Sequence, residues 1–382
     1  MVTDARLRVA DPAAPPLLQP QAPLSDAFRA AVSDVVEAFC TQQAGVLETM
    51  GPELEGVQAM ALELLRGGKR LRPAFCVWGH VAAAGLPGPE DDLAPLLRAA
   101  ASLDLLHVSA LVHDDVMDGS DLRRGRPAAH RQFEAQHVAA ERLGDPAAFG
   151  RAGAILLGDL LVMWSVEMLQ RCGLPAGTLD RATPLAEAMR TEVTCGQFLD
   201  ILAQAQPLHD DPVRALDEAE RVVEHKSARY TVQRPAQLGA ALGGGDERLL
   251  ADLAAYGSPL GRAFQFRDDV LGVFGDSEVT GKPAGDDLRE GKRTVLVAHA
   301  HAHAGAAGRT LLAQRLGDAD LDAGGVADLQ QVIVESGARD AVEVMIDEAY
   351  ARSLAALERA EMTDEGRQGL TALAEAAVRR LA

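Results

Sequence analysis

Apolar residues recur every three to four positions along nearly the whole chain. From Ser25 that spacing predicts helix to about Met50, then over 53–66, 71–84 and 92–118. It resumes over 128–143, 148–171, 178–206 and 212–243, and further helices fit 246–274, 288–303, 308–316, 326–336, 339–360 and 363–381. Ser25 can cap the first helix. Asp211-Pro212 pairs an N-cap with proline at the first helical position, and Asp92 can cap a long helix with Pro95 still in its first turn. The breaks are rich in Gly and Pro: "GLPGPEDD", "GSDLRRGRP", "GGGDE" and "GDSEVTGKPAGDD". No stretch shows the alternation of a strand, so the pattern predicts an all-α protein. Residues 1–24, with "ADPAAPPLLQPQAP", read as a disordered or loosely attached arm ahead of a domain over 25–382.

Composition narrows the function classes. Of the 382 residues, 48% are hydrophobic and only 4% aromatic, and the formal charge is −19. So acidic a chain lacks the basic footprint of a nucleic-acid binder and is ill suited to an anionic membrane surface. Cys40, Cys76, Cys172 and Cys195 show no CxxC spacing. They read as buried small side chains of a protein in the reducing cytoplasm, not as a zinc site or disulfide framework. The N-terminal segment does not read as a signal peptide, and no window reads as a membrane span.

Against this acidic background two helix ends stand out. In "HDDVMDGSDLRRGRP", Asp114 and Asp118 are four apart and share a face, with Asp115 beside them. Carboxylates about 6 Å apart repel by roughly 3 kcal/mol at an effective dielectric of 20, and they face the negative end of the helix dipole. A helix optimised for stability would carry Lys or Arg there. The second end is Asp268-Asp269, with Gln265, Asp268 and Gly272 on one face. Carboxylate-rich, all-oxygen clusters suit Mg²⁺ shared with substrate phosphates, and neither loop has EF-hand spacing.

Each acidic end has a basic neighbourhood. "GGKRLRP" supplies Lys69, Arg70 and Arg72; Arg123 and Arg124 follow the first cluster; Lys282 and Lys292 follow the second. "GDSEVTGKP" is a poor phosphate-binding loop, because its glycines are one residue too far apart and Pro283 stands where Ser or Thr would bind Mg²⁺. Nucleotide hydrolysis is rejected on that ground. Ligands that bind Mg²⁺ and cations together are diphosphates, and two clusters suggest two of them.

From about Leu54 onward, "GGKRLRP", "HDDVMDGSDLRRGRP", "GQFLD", "FQFRDDVLGVFGD" and "TGKPAGDDLREGKRT" resemble, in order, the motifs of trans-isoprenyl diphosphate synthases, in particular the bacterial geranylgeranyl type. That resemblance implies a single-domain bundle of long antiparallel helices around a central cavity, usually a homodimer. It assigns Mg²⁺ to Asp114, Asp115 and Asp118 on one side and to Asp268 and Asp269 on the other. Arg123, Lys282 and Lys292 would hold an allylic diphosphate (dimethylallyl, geranyl or farnesyl). Lys69, Arg72, His107 and Arg124 would hold isopentenyl diphosphate. Lys226, Ser227 and Gln265 would flank an allylic cation, with Gln197 and Asp200 behind them. The implied reaction ionises the allylic carbon, joins it to the double bond of isopentenyl diphosphate, and lets the released diphosphate take the proton. Two departures matter: Ser227 replaces the usual Thr, and Gly272 stands where many members carry a third Asp.

In this family residues above the first Asp motif form a floor for the growing product. Here Ser109 and Ala110 are small, with Leu106 and Leu103 one and two turns deeper and Met163 and Trp164 as further closers. Small residues at the floor favour geranylgeranyl over farnesyl product, with a farnesyl or longer-chain polyprenyl product as the alternative. A terpene cyclase would need neither "GGKRLRP" nor the second Asp site, and a non-catalytic subunit would be expected to have lost ligands retained here.

Overall fold

The computed structural model describes residues 16–88, 90–209, 211–275 and 285–379. The first half is built of α1 (Asp26–Glu48), α2 (Glu55–Leu65), α3 (Leu71–Ala84), α4 (Ala94–Asp118), α5 (Ala129–Ala139), α6 (Pro146–Gln170) and α7 (Ala176–Gln204). The second half starts with a run of α8 (Pro212–Val222), a π segment (Val223–Gln233) and α9 (Arg234–Leu242). It continues with α10 (Glu247–Phe274), one turn α11 (Asp286–Arg289), α12 (Val295–His303), α13 (Ala306–Arg315), α14 (Ala323–Glu335), α15 (Ala338–Arg359) and α16 (Asp364–Val378). Ser25, Asp211 and Asp246 each accept a hydrogen bond from the first turn of the helix they precede, as N-caps do.

α4 is the spine. It packs on α3 and α6, while α10 packs on α15 and on the π segment, and α7 covers the π segment from the other side. α4 and α6 are each long and apolar enough to span a membrane by length and composition, contrary to the sequence expectation that no window is. In an all-α protein a central helix is apolar all round because neighbours cover it on every side; the apolar window of α4 is 72% buried, that of α6 only 44%.

Other expectations change too. Residues 16–24 of the expected arm pack against the bundle, with Leu18 buried and Leu17 and Leu24 against the core, whereas residues 1–15 lie outside the described residues. "DLRRGRP" forms a two-stranded antiparallel ribbon pairing Leu122 with Pro127 and Arg123 with Arg126, where no strand was expected. Arg124 and Gly125 both take positive φ in its turn, as a tight two-residue hairpin requires. The helix expected over 288–303 is interrupted between Arg289 and Val295: Gly291 adopts φ 75° and Thr294 caps a new start. Cys195 is exposed, whereas the other three cysteines are buried; all four are free.

The stretch 212–243 is helical throughout, but its middle turns are π. Pro235 cannot donate to the ladder and its ring crowds the carbonyl one turn back, a conflict that a wider turn relieves. Three glycines let other helices close on the widened segment. A Cβ at Gly196 would lie 2.3 Å from the Lys226 backbone N, one at Gly261 would lie 2.4 Å from the Ala228 carbonyl, and one at Gly257 would lie 2.5 Å from Gln233 Cα.

Candidate active site

A cavity of about 760 Å³ opens where α4, α7, the π segment, α10 and the "GGKRLRP" turn meet. On its α4 wall, Asp114 Oδ1 accepts from Lys226 Nζ at 3.0 Å and Gln197 Nε2 at 2.9 Å. Lys226 Nζ also donates to Asp200 Oδ2 at 2.6 Å, so the "GQFLD" stretch anchors the lysine from α7. Asp115 is buried and accepts from Arg123 Nε at 2.8 Å; Arg123 also lies 3.6 Å from Asp114 Oδ2. Burial opposes the charge on Asp114, but Lys226, Lys292 and Arg123 outweigh it and hold the carboxyl well below its usual range. Asp118 is pushed up to about 6 by burial and by Asp114, against the pull of Lys292.

The α10 wall is different. Asp269 is 5% exposed, and its Oδ1 accepts from Gln265 Nε2 at 2.8 Å. Its Oδ2 is buried with no hydrogen-bond partner. Burial, with Asp287 and Asp268 nearby, pushes this carboxyl up to about 8 despite the Gln265 bond. Asp287 fills the gap left by Gly272: a Cβ on Gly272 would sit 2.0 Å from Asp287 Oδ2. Sequence reasoning passed over Asp287, although "GDDLREGK" carried the acids. Lys292 joins the two walls, with Nζ 2.7 Å from Glu290, 3.2 Å from Asp118 and 3.8 Å from Asp287.

The third wall is basic. Lys69 and Arg72 line it from the turn before α3, and the Arg124 guanidinium lies 3.5 Å from the point where a Gly68 Cβ would be. The hairpin thus sends Arg123 to the acids and Arg124 to the glycine turn. Arg70, the one cation of "GGKRLRP" to which the resemblance gives no substrate, anchors that turn. It is 5% exposed in a left-handed conformation (φ 53°) and donates to Asp104 at 2.8 Å, Ser33 at 3.0 Å and the Leu65 carbonyl at 2.8 Å. Burial raises the Asp104 carboxyl, and Arg70 opposes the rise.

The structure therefore brings Lys69, Arg72, His107, Arg123, Arg124, Lys226, Ser227, Gln265, Asp114, Asp268, Asp269 and Lys292 to one cavity. Asp115 and Asp118 stand just behind, each on a basic partner. Lys282 lies outside the described residues. Of the expected floor only Ala110 lines the cavity. Ser109 and Leu106 are turned about 140° and 80° from Asp114 at 3.6 residues per turn, and the Ser109 hydroxyl donates to the Gly158 carbonyl of α6 at 2.7 Å. Leu103 is buried in the core, Trp164 packs on Phe39, and Met163 is exposed.

Among the described residues, no three His, Cys, Asp or Glu side chains converge to hold a metal ion unaided. The donor chemistry still fits Mg²⁺. The acids on both walls are oxygen donors, one buried carboxylate oxygen is unmatched, and Mg²⁺ keeps open positions for substrate phosphates.

Residues 55–333 match the polyprenyl synthetase family. The chain belongs to that family. Its fold superposes on a crystal structure of geranylgeranyl pyrophosphate synthase from Corynebacterium glutamicum, complexed with isoprenyl diphosphate and magnesium. The TM-score is 0.88 at 39% identity, covering 93% of this chain and 99% of that one. Among curated members it is 34% identical over 234 residues to a geranylgeranyl diphosphate synthase of Methanosarcina mazei, aligning 61% of this chain and 64% of that protein. It is 36% identical over 247 residues to a (2E,6E)-farnesyl diphosphate synthase of Mycobacterium bovis, aligning 64% of this chain and 60% of that protein. The chain thus spans under two thirds of the length of these two polyprenyl synthetases.

Proposed function

We propose that this polyprenyl synthetase is a Mg²⁺-dependent trans-prenyltransferase that joins isopentenyl diphosphate to an allylic diphosphate and releases geranylgeranyl diphosphate. The observation that carries the reading is one cavity with acidic walls on α4 and α10 and a separate basic wall of Lys69, Arg72 and Arg124. Asp114 and Asp118 on one side and Asp268 and Asp269 on the other would hold Mg²⁺, which when bound neutralises charge on the departing allylic diphosphate. Arg123, Lys226 and Lys292 sit on carboxylates and would trade them for phosphate oxygens as substrate arrives. The Ser227 hydroxyl and Gln265 amide oxygen offer dipoles to a developing carbocation, and apolar Val108, Leu111 and Phe264 shield it from water. The released diphosphate takes the proton, so no dedicated basic side chain is required.

Support for the C20 product is the small Ala110 on the cavity wall and the similarity to geranylgeranyl synthases. The farnesyl synthase relative keeps a shorter product as the second reading. Incubation with labelled isopentenyl diphosphate, Mg²⁺ and each of dimethylallyl, geranyl and farnesyl diphosphate, followed by chromatography, tests both. Elongation to C20 is expected; no elongation from any primer rejects the enzyme reading, and arrest at C15 rejects the product. Ala110→Phe is expected to shorten the product, and unchanged chain length would remove Ala110 from the floor.

A cytoplasmic homodimer completes the proposal. Phe149, Leu156 and Met163 recur every seven residues on α6 and are 39%, 68% and 58% exposed, an apolar stripe suited to a second copy. Light scattering on the purified protein should give twice the chain mass.

A further inference from the structure

Tyr230 has no place in the reaction as described, yet it touches two of the groups assigned to isopentenyl diphosphate. It lies in the π segment, is 4% exposed, and lines the cavity. The Arg72 guanidinium sits 4.2 Å above its ring centroid. The next residue, Thr231, accepts from Arg72 Nη2 at 2.8 Å through Oγ1. The Tyr230 hydroxyl is 3.1 Å from His107 Nδ1. One side chain therefore ties the π segment to α3 through Arg72 and to α4 through His107.

We propose that Tyr230 is a positioning residue for isopentenyl diphosphate: its hydroxyl donates to His107 Nδ1 and so presents Nε2–H as a neutral donor, while its ring holds Arg72 in place.

The direction of that hydrogen bond follows from acidity. Of the two groups the phenol is the stronger acid and the imidazole nitrogen the stronger base, so O–H···Nδ1 is favoured over the reverse. A neutral imidazole then carries its single proton on Nε2. Neutrality itself is imposed by the site. Burial, then the charges of Arg72, Arg124, Arg123 and Arg70, drive the His107 pKa well below its ordinary value. Burial also pushes Tyr230 up to about 12, so the phenol keeps its proton. A neutral ring among arginines adds a directional N–H to an anion site without adding to cation repulsion. The cation–π contact stabilises a desolvated guanidinium and restricts its orientation.

The proposal rests on the assignment of the basic wall to isopentenyl diphosphate, and the experiment separates the two. Tyr230→Phe removes only the hydroxyl. It is expected to raise KM for isopentenyl diphosphate about five- to tenfold, with kcat within about twofold and KM for farnesyl diphosphate unchanged. Tyr230→Leu, which also removes the ring beneath Arg72, is expected to raise it further. Nitrogen-15 spectra of the wild-type protein, with the His107 signals assigned by their loss in His107→Asn, are expected to show the Nε2–H tautomer, and Tyr230→Phe to mix the two tautomers. A wild-type proton on Nδ1, or an unchanged KM in Tyr230→Phe, overturns the proposal. Lys69→Ala provides the control. If it raises KM for the allylic substrate instead, the assignment of the wall is wrong, whatever the spectra report about Tyr230.

Discussion

The two acidic walls are built from the same residue type and solve opposite problems. On α4, every aspartate has a cationic partner: Asp114 has Lys226, Asp115 has Arg123 and Asp118 has Lys292. On α10, Asp269 is buried beside two further acids with one oxygen unmatched. The α4 wall is charged and internally neutralised before any ligand arrives. On the α10 wall burial and the neighbouring acids favour a protonated Asp269 below about pH 8, a proton that a bound cation would displace. Ligand entry should therefore exchange partners on one wall and supply the missing partner on the other.

The largest expected effect is on the α4 wall. Asp114→Asn should lower kcat/KM by about a thousandfold, the scale of removing one preorganised charge contact. It should also lower the thermal midpoint of the metal-free protein, because Lys226 and Arg123 lose part of their compensation. Activity within about tenfold of wild type would break the comparison at its strongest point.

The α10 wall should respond in the opposite sense. The folded-state pKa of Asp269, about 8, lies above the ordinary carboxylate value of 3.8. Between those values the folded state binds more protons than the unfolded state, so stability from this group is full below the lower value and is lost as pH rises through about 8. Asp269→Asn should therefore stabilise the metal-free protein by about 2 kcal/mol at pH 8.5 and by little at pH 4. Melting scans at the two pH values check the sign, and a stabilisation that does not shrink on acidification would show that charge is not its cause. Addition of Mg²⁺ with inorganic diphosphate should raise the wild-type midpoint more than that of the variant.

A smaller effect sharpens the account of the gap beside Asp268. Gly272→Ala places a methyl where Asp287 now sits and should cost about 1 kcal/mol as that carboxylate moves. Urea titration measures it; no loss of stability would show that Asp287 yields its place freely.

How much could be read beforehand differs between the walls. The α4 cluster was legible because Asp114 and Asp118 lie one helical turn apart and their basic partners sit within ten residues or in recognisable motifs. The role of Asp287 was not, since it depends on a downstream turn folding back onto a glycine. The floor was half legible: Ala110 faces the cavity, but Ser109 is turned toward α6, and only the packing of α6 on α4 decides that. The π segment left no mark in the hydrophobic pattern beyond Pro235, because a widened turn needs helices able to close on it, and Gly196, Gly257 and Gly261 come from two other elements.

The sequence by itself determined the helical character, the caps Ser25 and Asp211, the two acidic ends and the basic sets that accompany them. These depend on spacing along one chain and on local chemistry. Tertiary structure decided which charge pairs with which, which carboxylate is left unmatched, and that Tyr230 lies between Arg72 and His107. Those outcomes depend on the approach of helices far apart in sequence and on the dielectric their packing creates, which no local pattern contains.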